Sequence, residues 1–274
     1  MSEFTEWYGD YGVSFRVKRK ILEKKSQYQK IELYETENSG KMLVLDGAIQ
    51  FVESWERTYH EALVHPPMLS HPNPKKVLII GGGDGGALRE VLKHPVEKAV
   101  MVEIDKEVVE TVREHVPIDE GAFEDPRTEL IIGDGIRYVK ETGERFDVII
   151  IDSTDPVGPA ISLFSVDFYS SCRDILNEKG IVITQAGGSY FHVDEFVKAY
   201  NNMKEAMGEA YAFGFVVIGY APPWNFVVGI KGGVDFEKID LNRAKSIDTR
   251  YYDPERHISM LYLPRFLREK IGLI

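Results

Sequence analysis

The sequence has 274 residues, 43% of them hydrophobic and 28% charged, the profile of a folded globular chain and not of a disordered, collagenous or membrane-embedded one. Its 33 Lys and Arg against 44 Asp and Glu leave a net charge of −11, which argues against a footprint for nucleic acid or anionic lipid and favours a cationic small-molecule partner. The single cysteine, Cys172, excludes an internal disulfide and a cysteine-based metal cluster, and its neighbours Phe168, Tyr169, Ile175 and Leu176 predict a buried, inert thiol.

The opening MSEFTEWYGD is acidic where a signal peptide is basic and then apolar, and no apolar run approaches the roughly 18 residues of a membrane span, so a cytoplasmic location with no membrane partner is expected. Residues 1–60 read as a small antiparallel β-domain. Period-two strands fall at Val13–Val17, Ile31–Tyr34, Met42–Leu45 and Ala48–Val52, with turns at Asn38-Ser39-Gly40 and Asp46-Gly47 and a solvated strand face over Arg16–Lys25. A helical pattern starts at Ser54 and runs through Val64, where Pro66, Pro67, Pro72 and Pro74 are expected to prohibit regular structure.

Residues 61–274 then alternate strand and helix. The strands Val77–Ile80, Ala99–Val102, Leu130–Ile132, Val148–Ile151 and Ile181–Ile183 are continuous apolar runs, as parallel strands covered on both faces require. Amphipathic helices follow them, and Tyr211–Ile218 with Phe226–Ile230 reads as an antiparallel hairpin at the sheet edge. The fold class is α/β, a doubly wound Rossmann-like domain of the methyltransferase type preceded by the small β-domain.

In such a sheet the ligand sits beyond the carboxyl ends of the strands, and three segments there carry chemistry. Gly81-Gly82-Gly83-Asp84-Gly85-Gly86 satisfies G-x-G-x-x-G between a strand and a helix, and Asp84 at its mouth would repel a pyrophosphate and attract a cation. Glu103, 17 residues beyond Gly86, is placed to accept from ribose hydroxyls. Asp105 reads as a helix N-cap, and Asp134 between Gly133 and Gly135 reads as a reader of the adenine amino group. Asp152-Ser153-Thr154-Asp155-Pro156 puts two carboxylates three residues apart in a rigid turn, near Asp84 across the sheet edge. Converging carboxylates repel one another unless a cation fills the cavity. No histidine accompanies the pair in sequence, so an amine ranks above a metal and no metal site is expected. His65, His71, His94, His115, His192 and His257 show no mutual spacing that suggests a site.

These motifs resemble the spermidine synthase family, the polyamine aminopropyltransferases. The resemblance covers nearly the whole chain: GGGDGG at 81–86 followed by Leu88-Arg89-Glu90, Val102–Asp105, Gly133–Gly135, DSTDPVGP at 152–159, Leu45–Gln50 as the LDGxxQ hairpin, and Tyr59-His60-Glu61. It implies transfer of a propylamine group from decarboxylated S-adenosylmethionine, a co-substrate and not a prosthetic group, to a diamine, with methylthioadenosine released. It implies Gln29, Glu103, Asp134, Gly135 and Pro159 on the nucleoside, and Asp84 with His60 along the aminopropyl and amine chain. Asp152 would be the proton acceptor, with Ser153, Thr154, Asp155, Tyr59, Tyr220, Gln185 and Trp7 on the diamine side.

Putrescine is the expected acceptor. Cadaverine, agmatine and spermidine stay open, because Tyr220-Ala221-Pro222-Pro223-Trp224 departs from the family's Tyr-Pro-Ser-Gly stretch. A homodimer or homotetramer is expected. Two other readings, an N-methyltransferase using the carboxylated cofactor and a NAD-dependent oxidoreductase, are disfavoured by Asp84. A catalytically silent polyamine-binding protein is disfavoured by the presence of both Tyr59 and Asp152.

Overall fold

The computed structural model describes residues 2–154, 158–220 and 223–274, so Asp155 lies outside the described residues, as do the side chain of Pro159 and Ala221-Pro222. Five strands, β1 (Ser2–Tyr8), β2 (Tyr11–Lys25), β3 (Lys30–Thr36), β4 (Lys41–Leu45) and β5 (Ala48–Val52), form an antiparallel sheet in sequence order. Asp46 and Gly47, at φ 50° and 87°, make the two-residue turn between β4 and β5 that the Asp-Gly pair predicts. The strand β1 was not expected. It pairs with β2 along its whole length, from Ser2 opposite Val17 to Tyr8 opposite Tyr11.

After α1 (Glu56–Ser70) the chain alternates: β6 (Lys76–Gly81), α2 (Gly86–Leu92), β7 (Lys98–Glu103), α3 (Lys106–His115), β8 (Thr128–Ile132), α4 (Gly135–Glu141), β9 (Phe146–Asp152), α5 (Val166–Ile175), β10 (Leu176–Gly188) and α6 (Val193–Met207). The hairpin β11 (Glu209–Phe215) and β12 (Trp224–Ile230) follows, then short helices α7 (Leu241–Ser246), α8 (Pro254–Met260) and α9 (Arg265–Lys270). The second sheet has the order β11-β12-β10-β9-β6-β7-β8, with β8, β7, β6, β9 and β10 parallel and the final hairpin antiparallel at one edge. Strand order therefore reverses between β6 and β9. This is the switch point at which open α/β sheets leave a crevice.

Alternate residues of each parallel strand enter two different cores. Val77, Ile79, Val148 and Ile150 pack with α1 and α2, whereas Leu78, Ile80, Ile149 and Ile151 pack with α5 and α6. One face of the first sheet, with Ile31, Leu33, Leu43 and Phe51, closes onto Val108 and Val112 of α3, which ties that sheet to the β7 and β8 edge of the second. Cys172 is fully buried and burial pushes its thiol up, as its apolar neighbours predict. An alkylating reagent should modify it only after unfolding, and labelling of the native protein at the rate of free cysteine would show that this helix opens.

The prolines at 66 and 67 do not end α1. The helix continues to Ser70 and closes with the His71 N–H donating to the Pro67 carbonyl, and Pro72 and Pro74 lie beyond it. Each internal proline removes a backbone bond and costs about 3 kcal/mol in an exposed helix. Here nearly every residue from Tyr59 to Ser70 is buried, and packing between the sheet and α2 outweighs that local cost.

Candidate active site

The loop after β6 and the end of β9 meet at the switch point. Gly81 lies opposite Asp152 in register, and the Gly82 N–H donates to the Asp152 carbonyl at 2.8 Å. Gly81 has φ 82°, and a Cβ there would overlap the carbonyl of Asp152, so only glycine allows the two strand ends to approach this closely. At Gly86, the first residue of α2, a Cβ would overlap the ring of His60.

The helix α1 places three successive residues of the Tyr-His-Glu motif in three directions. The Tyr59 hydroxyl donates to Asp152 Oδ1 at 2.9 Å. His60 Nε2 stands 3.4 Å from Asp84 Oδ1, and its Nδ1 stands 2.7 Å from Glu56 Oε2. Glu61 faces away and accepts from the backbone N–H groups of Arg250, Tyr251 and Tyr252 at 2.7–3.1 Å. The segment Tyr251–Pro254 is thus a structural tie, with Asp253 capping α8 at the Arg256 N–H and Tyr252 bonded to His257.

Asp152 has one oxygen satisfied by Tyr59. The other, Oδ2, is buried without a partner among the described residues. Burial first, and then the charge of Asp84, raise the Asp152 carboxyl to about 6, while His60 and the Tyr59 hydrogen bond oppose the shift. Burial and the facing Asp152 charge also raise the Tyr59 hydroxyl well above its ordinary value, so it stays a donor. His60 is raised as well, but by its neighbours and against its burial. Burial alone would lower it, but Asp84 and Glu56 raise it to about 10. A histidine therefore does accompany the acids, as the resemblance implied and the local sequence around Asp152 did not, because α1 crosses the mouth of the glycine loop. His60, Asp84 and Asp152 each bring one ligand-capable atom within 4.8 Å of the others. With Nδ1 bonded to Glu56 and Nε2 facing Asp84 the ring is held as an imidazolium, which has no lone pair for a metal, and the donor set suits an amine.

On the side where the acceptor is expected, Gln185 lies near the end of β10, with its Nε2 3.4 Å from the Ser153 carbonyl and its Oε1 accepting from the Gly187 N–H at 3.0 Å. Thr154 is exposed beside Ser153. Tyr220 donates to the Gln50 carbonyl and packs edge-on against Tyr59, with ring centroids 5.7 Å apart, and against Trp224 at 4.9 Å. Trp224 and Phe226 are buried, and Phe226 also meets Tyr59. Trp7 departs from its expected place. It is 67% exposed with its ring beside Gly12, whereas Tyr8, on the opposite face of β1, packs against His192, which in turn meets Trp224. Period-two alternation in the unexpected strand β1 is the signal that would have selected Tyr8.

On the side where the nucleoside is expected, Glu103 ends β7 with Oε2 accepting from the Gly83 N–H at 3.1 Å and Oε1 from the Asp105 N–H at 2.7 Å. Burial raises its carboxyl to about 7 despite these bonds. Asp105 caps α3 as read from sequence, and its second oxygen accepts from Gln29 Nε2 at 2.9 Å and from the Ser26 hydroxyl at 2.6 Å. Gln29, in the turn between β2 and β3, thereby reaches the edge where Glu103 lies. Asp134 is exposed and caps α4 through Oδ1, and Gly135 packs on Ile80. Ile104 and Ile132, both exposed although apolar, flank Glu103 and Asp134 and were not singled out from sequence.

Comparison with known proteins agrees with this arrangement. The Spermine/spermidine synthase domain matches residues 56–238, and the Spermidine synthase tetramerisation domain matches residues 4–53. The chain is 56% identical to a polyamine aminopropyltransferase of Thermococcus onnurineus, over 97% of this chain and 95% of that one, and 54% identical to one of Pyrococcus abyssi, over 98% and 99%. The crystal structure of a spermidine synthase in complex with the transition-state analogue AdoDATO superposes with a TM-score of 0.96 at 36% identity, over all of this chain and 96% of that one. The spermidine synthase from Thermotoga maritima gives 0.94 at 36%, over all of this chain and 95% of that one. Sequence, fold and the acid cluster at the switch point agree, and the chain belongs to the spermidine synthase family of polyamine aminopropyltransferases.

Proposed function

We propose that the protein moves the aminopropyl group of decarboxylated S-adenosylmethionine to a diamine, with putrescine as the first acceptor, releasing methylthioadenosine. The observation that carries this reading is the unpartnered, buried Oδ2 of Asp152 beside Asp84: two carboxylates in one cavity call for a cationic amine. The acceptor nitrogen arrives protonated, gives its proton to Asp152, and attacks the carbon bound to the sulfonium. The carbon–sulfur bond breaks with its electron pair going to sulfur, which leaves neutral. Tyr59 holds Asp152 Oδ1, so Oδ2 is the oxygen turned to the amine. The described contacts of Asp84 fall on Oδ1, leaving Oδ2 for the ammonium of the aminopropyl chain.

Glu103 and Gln29 would hold the ribose edge, Asp134 with Gly135 and Pro159 the base, and the exposed Ile104 and Ile132 would give the base an apolar bed. Ser153, Thr154, Asp155, Gln185 and Tyr220 would line the acceptor side. Because a sulfonium is already a good leaving group, most of the acceleration would come from aligning nitrogen, carbon and sulfur. Assembly is read as oligomeric through the first sheet, as a dimer or a tetramer.

Calorimetry with the decarboxylated and carboxylated cofactors should show at least a tenfold preference for the former, since a carboxylate set against Asp84 costs about 1–3 kcal/mol. A competition assay offering putrescine, cadaverine, agmatine and spermidine, with products resolved by mass, should yield chiefly spermidine. Equal affinity for the two cofactors, or transfer of a methyl group, would move the reading to a methyltransferase. A product made from one of the other amines would reassign the acceptor.

A further inference from the structure

His60 stands between two carboxylates, Glu56 and Asp84. Its Nδ1 faces Glu56 Oε2 at 2.7 Å and its Nε2 faces Asp84 Oδ1 at 3.4 Å. A carboxylate can only accept, so Nδ1 donates to Glu56, and an Nε2 that faces a second carboxylate favours the doubly protonated, charged ring. Asp84 and Glu56 both hold that charge, and Glu56 is the one whose own state is fixed from outside the cavity. Its two oxygens accept from both terminal nitrogens of Arg89, Oε1 at 3.0 Å and Oε2 at 2.9 Å. This bidentate pair is nearly excluded from solvent, with both side chains about 5% exposed. Arg89 is held in turn by Glu90 Oε1 at 2.8 Å and by the Ile118 carbonyl. A guanidinium clamped on both sides cannot leave, and the carboxylate it grips does not take up a proton.

We infer that Glu56, fixed by Arg89, is a positioning residue that keeps His60 doubly protonated and turned onto Asp84, so that the reacting cavity holds one built-in cation among its acids before substrate arrives. This role rests on the aminopropyl-transfer reading, in which Asp152 must be free to accept a proton. His60 is the cation that favours the ionised form of Asp152 against the charge of Asp84. Around the ring stand Glu56 and Tyr59 from α1, Asp84 from the loop after β6, and Asp152 from β9, with Arg89 of α2 behind Glu56. Take away the charge on Glu56 and His60 reverts to a neutral ring that still bonds to both neighbours. Asp84 and Asp152 then face each other without that cation, and Asp152 keeps its proton to higher pH.

The test is the pH profile of kcat/KM in Glu56→Gln, with release of methylthioadenosine as the readout. Its acid limb should move upward by about one pH unit, giving a loss of roughly tenfold below that limb and near-normal turnover at pH 9. Affinity for methylthioadenosine should stay unchanged, and Glu56→Asp, which restores the charge, should bring the limb back toward that of the parent. A loss equal at every pH, or an acid limb that stays in place, would overturn the inference.

If removing one partner of the buried pair prevents folding, nitrogen chemical shifts of the unmodified protein decide. The His60 signals, assigned by their loss in His60→Gln, should show both nitrogens protonated at pH 8, and a neutral ring at that pH would overturn the inference. If the protein does not transfer aminopropyl groups at all, the unmodified chain releases no methylthioadenosine, whereas the state of His60 is still answered by its shifts. The two failures are therefore distinguishable.

Discussion

Replacing Asp152 by Asn should lower turnover at neutral pH by about 10²–10⁴ while leaving methylthioadenosine affinity nearly unchanged. Asn keeps the size and can still meet the Tyr59 hydroxyl, but it cannot take the proton from the incoming ammonium. Raising the pH should restore part of the rate, because a growing share of the amine then arrives without that proton. The effect on stability should have the opposite sign to that on activity. The Asp152 carboxyl is raised in the folded protein from 3.8 to about 6, so its favourable contribution is present at low pH and is lost as pH rises through that window. Asn cannot ionise. Above pH 6 the variant should be at least as stable as the parent, by denaturant midpoint at fixed protein concentration. A variant that is both inactive and unstable above pH 6, with no recovery at high pH, would make Asp152 a structural residue.

A second large effect is expected at Gly81, where no chemistry resides. Its φ of 82° costs a residue with a Cβ about 1–2 kcal/mol, and the added carbon would overlap the Asp152 carbonyl. That oxygen belongs to the backbone and is bonded to the Gly82 N–H, so it cannot swing aside as a side chain could. Gly81→Ala should therefore lose at least 3 kcal/mol, a value reserved for strain and overpacking at buried sites. The folded remainder should be nearly inactive, since the end of β9 carries Asp152. Chemical denaturation together with single-turnover rates would separate the two losses. Stability within 1 kcal/mol of the parent would show that the strand ends can part without harm.

The parallel strands were legible because burial on both faces leaves no polar alternation: Val77–Ile80 and Val148–Ile151 are unbroken apolar runs with glycine or aspartate just beyond them. The caps at Asp105 and the turn at Asp46-Gly47 were legible because their chemistry is local. Residues set by tertiary packing were not. The prolines of α1 state a local rule that the surrounding core overrides, and β1 is a strand only because β2 runs alongside it. In the site, Asp84, Glu103 and Asp152 could be found because each follows a strand. The Glu56–His60 spacing of four residues was visible in principle, but its partner Arg89 lies on another helix, and only the packing of α1 on α2 joins them. The pairing of His65 with His94 and Glu90, which no spacing suggested, has the same origin.

Glu61 gives the far end of the chain a hold on the chemistry. The residue that follows Tyr59 and His60 is neutralised not by a cation but by three successive peptide groups from Arg250 to Tyr252. A protease nick or a careless truncation before Arg250 would leave a buried acid facing empty space, and the damage would be transmitted to the helix that carries Tyr59 and His60. The integrity of the helix that carries Tyr59 and His60 thus depends partly on a segment almost two hundred residues further along the chain.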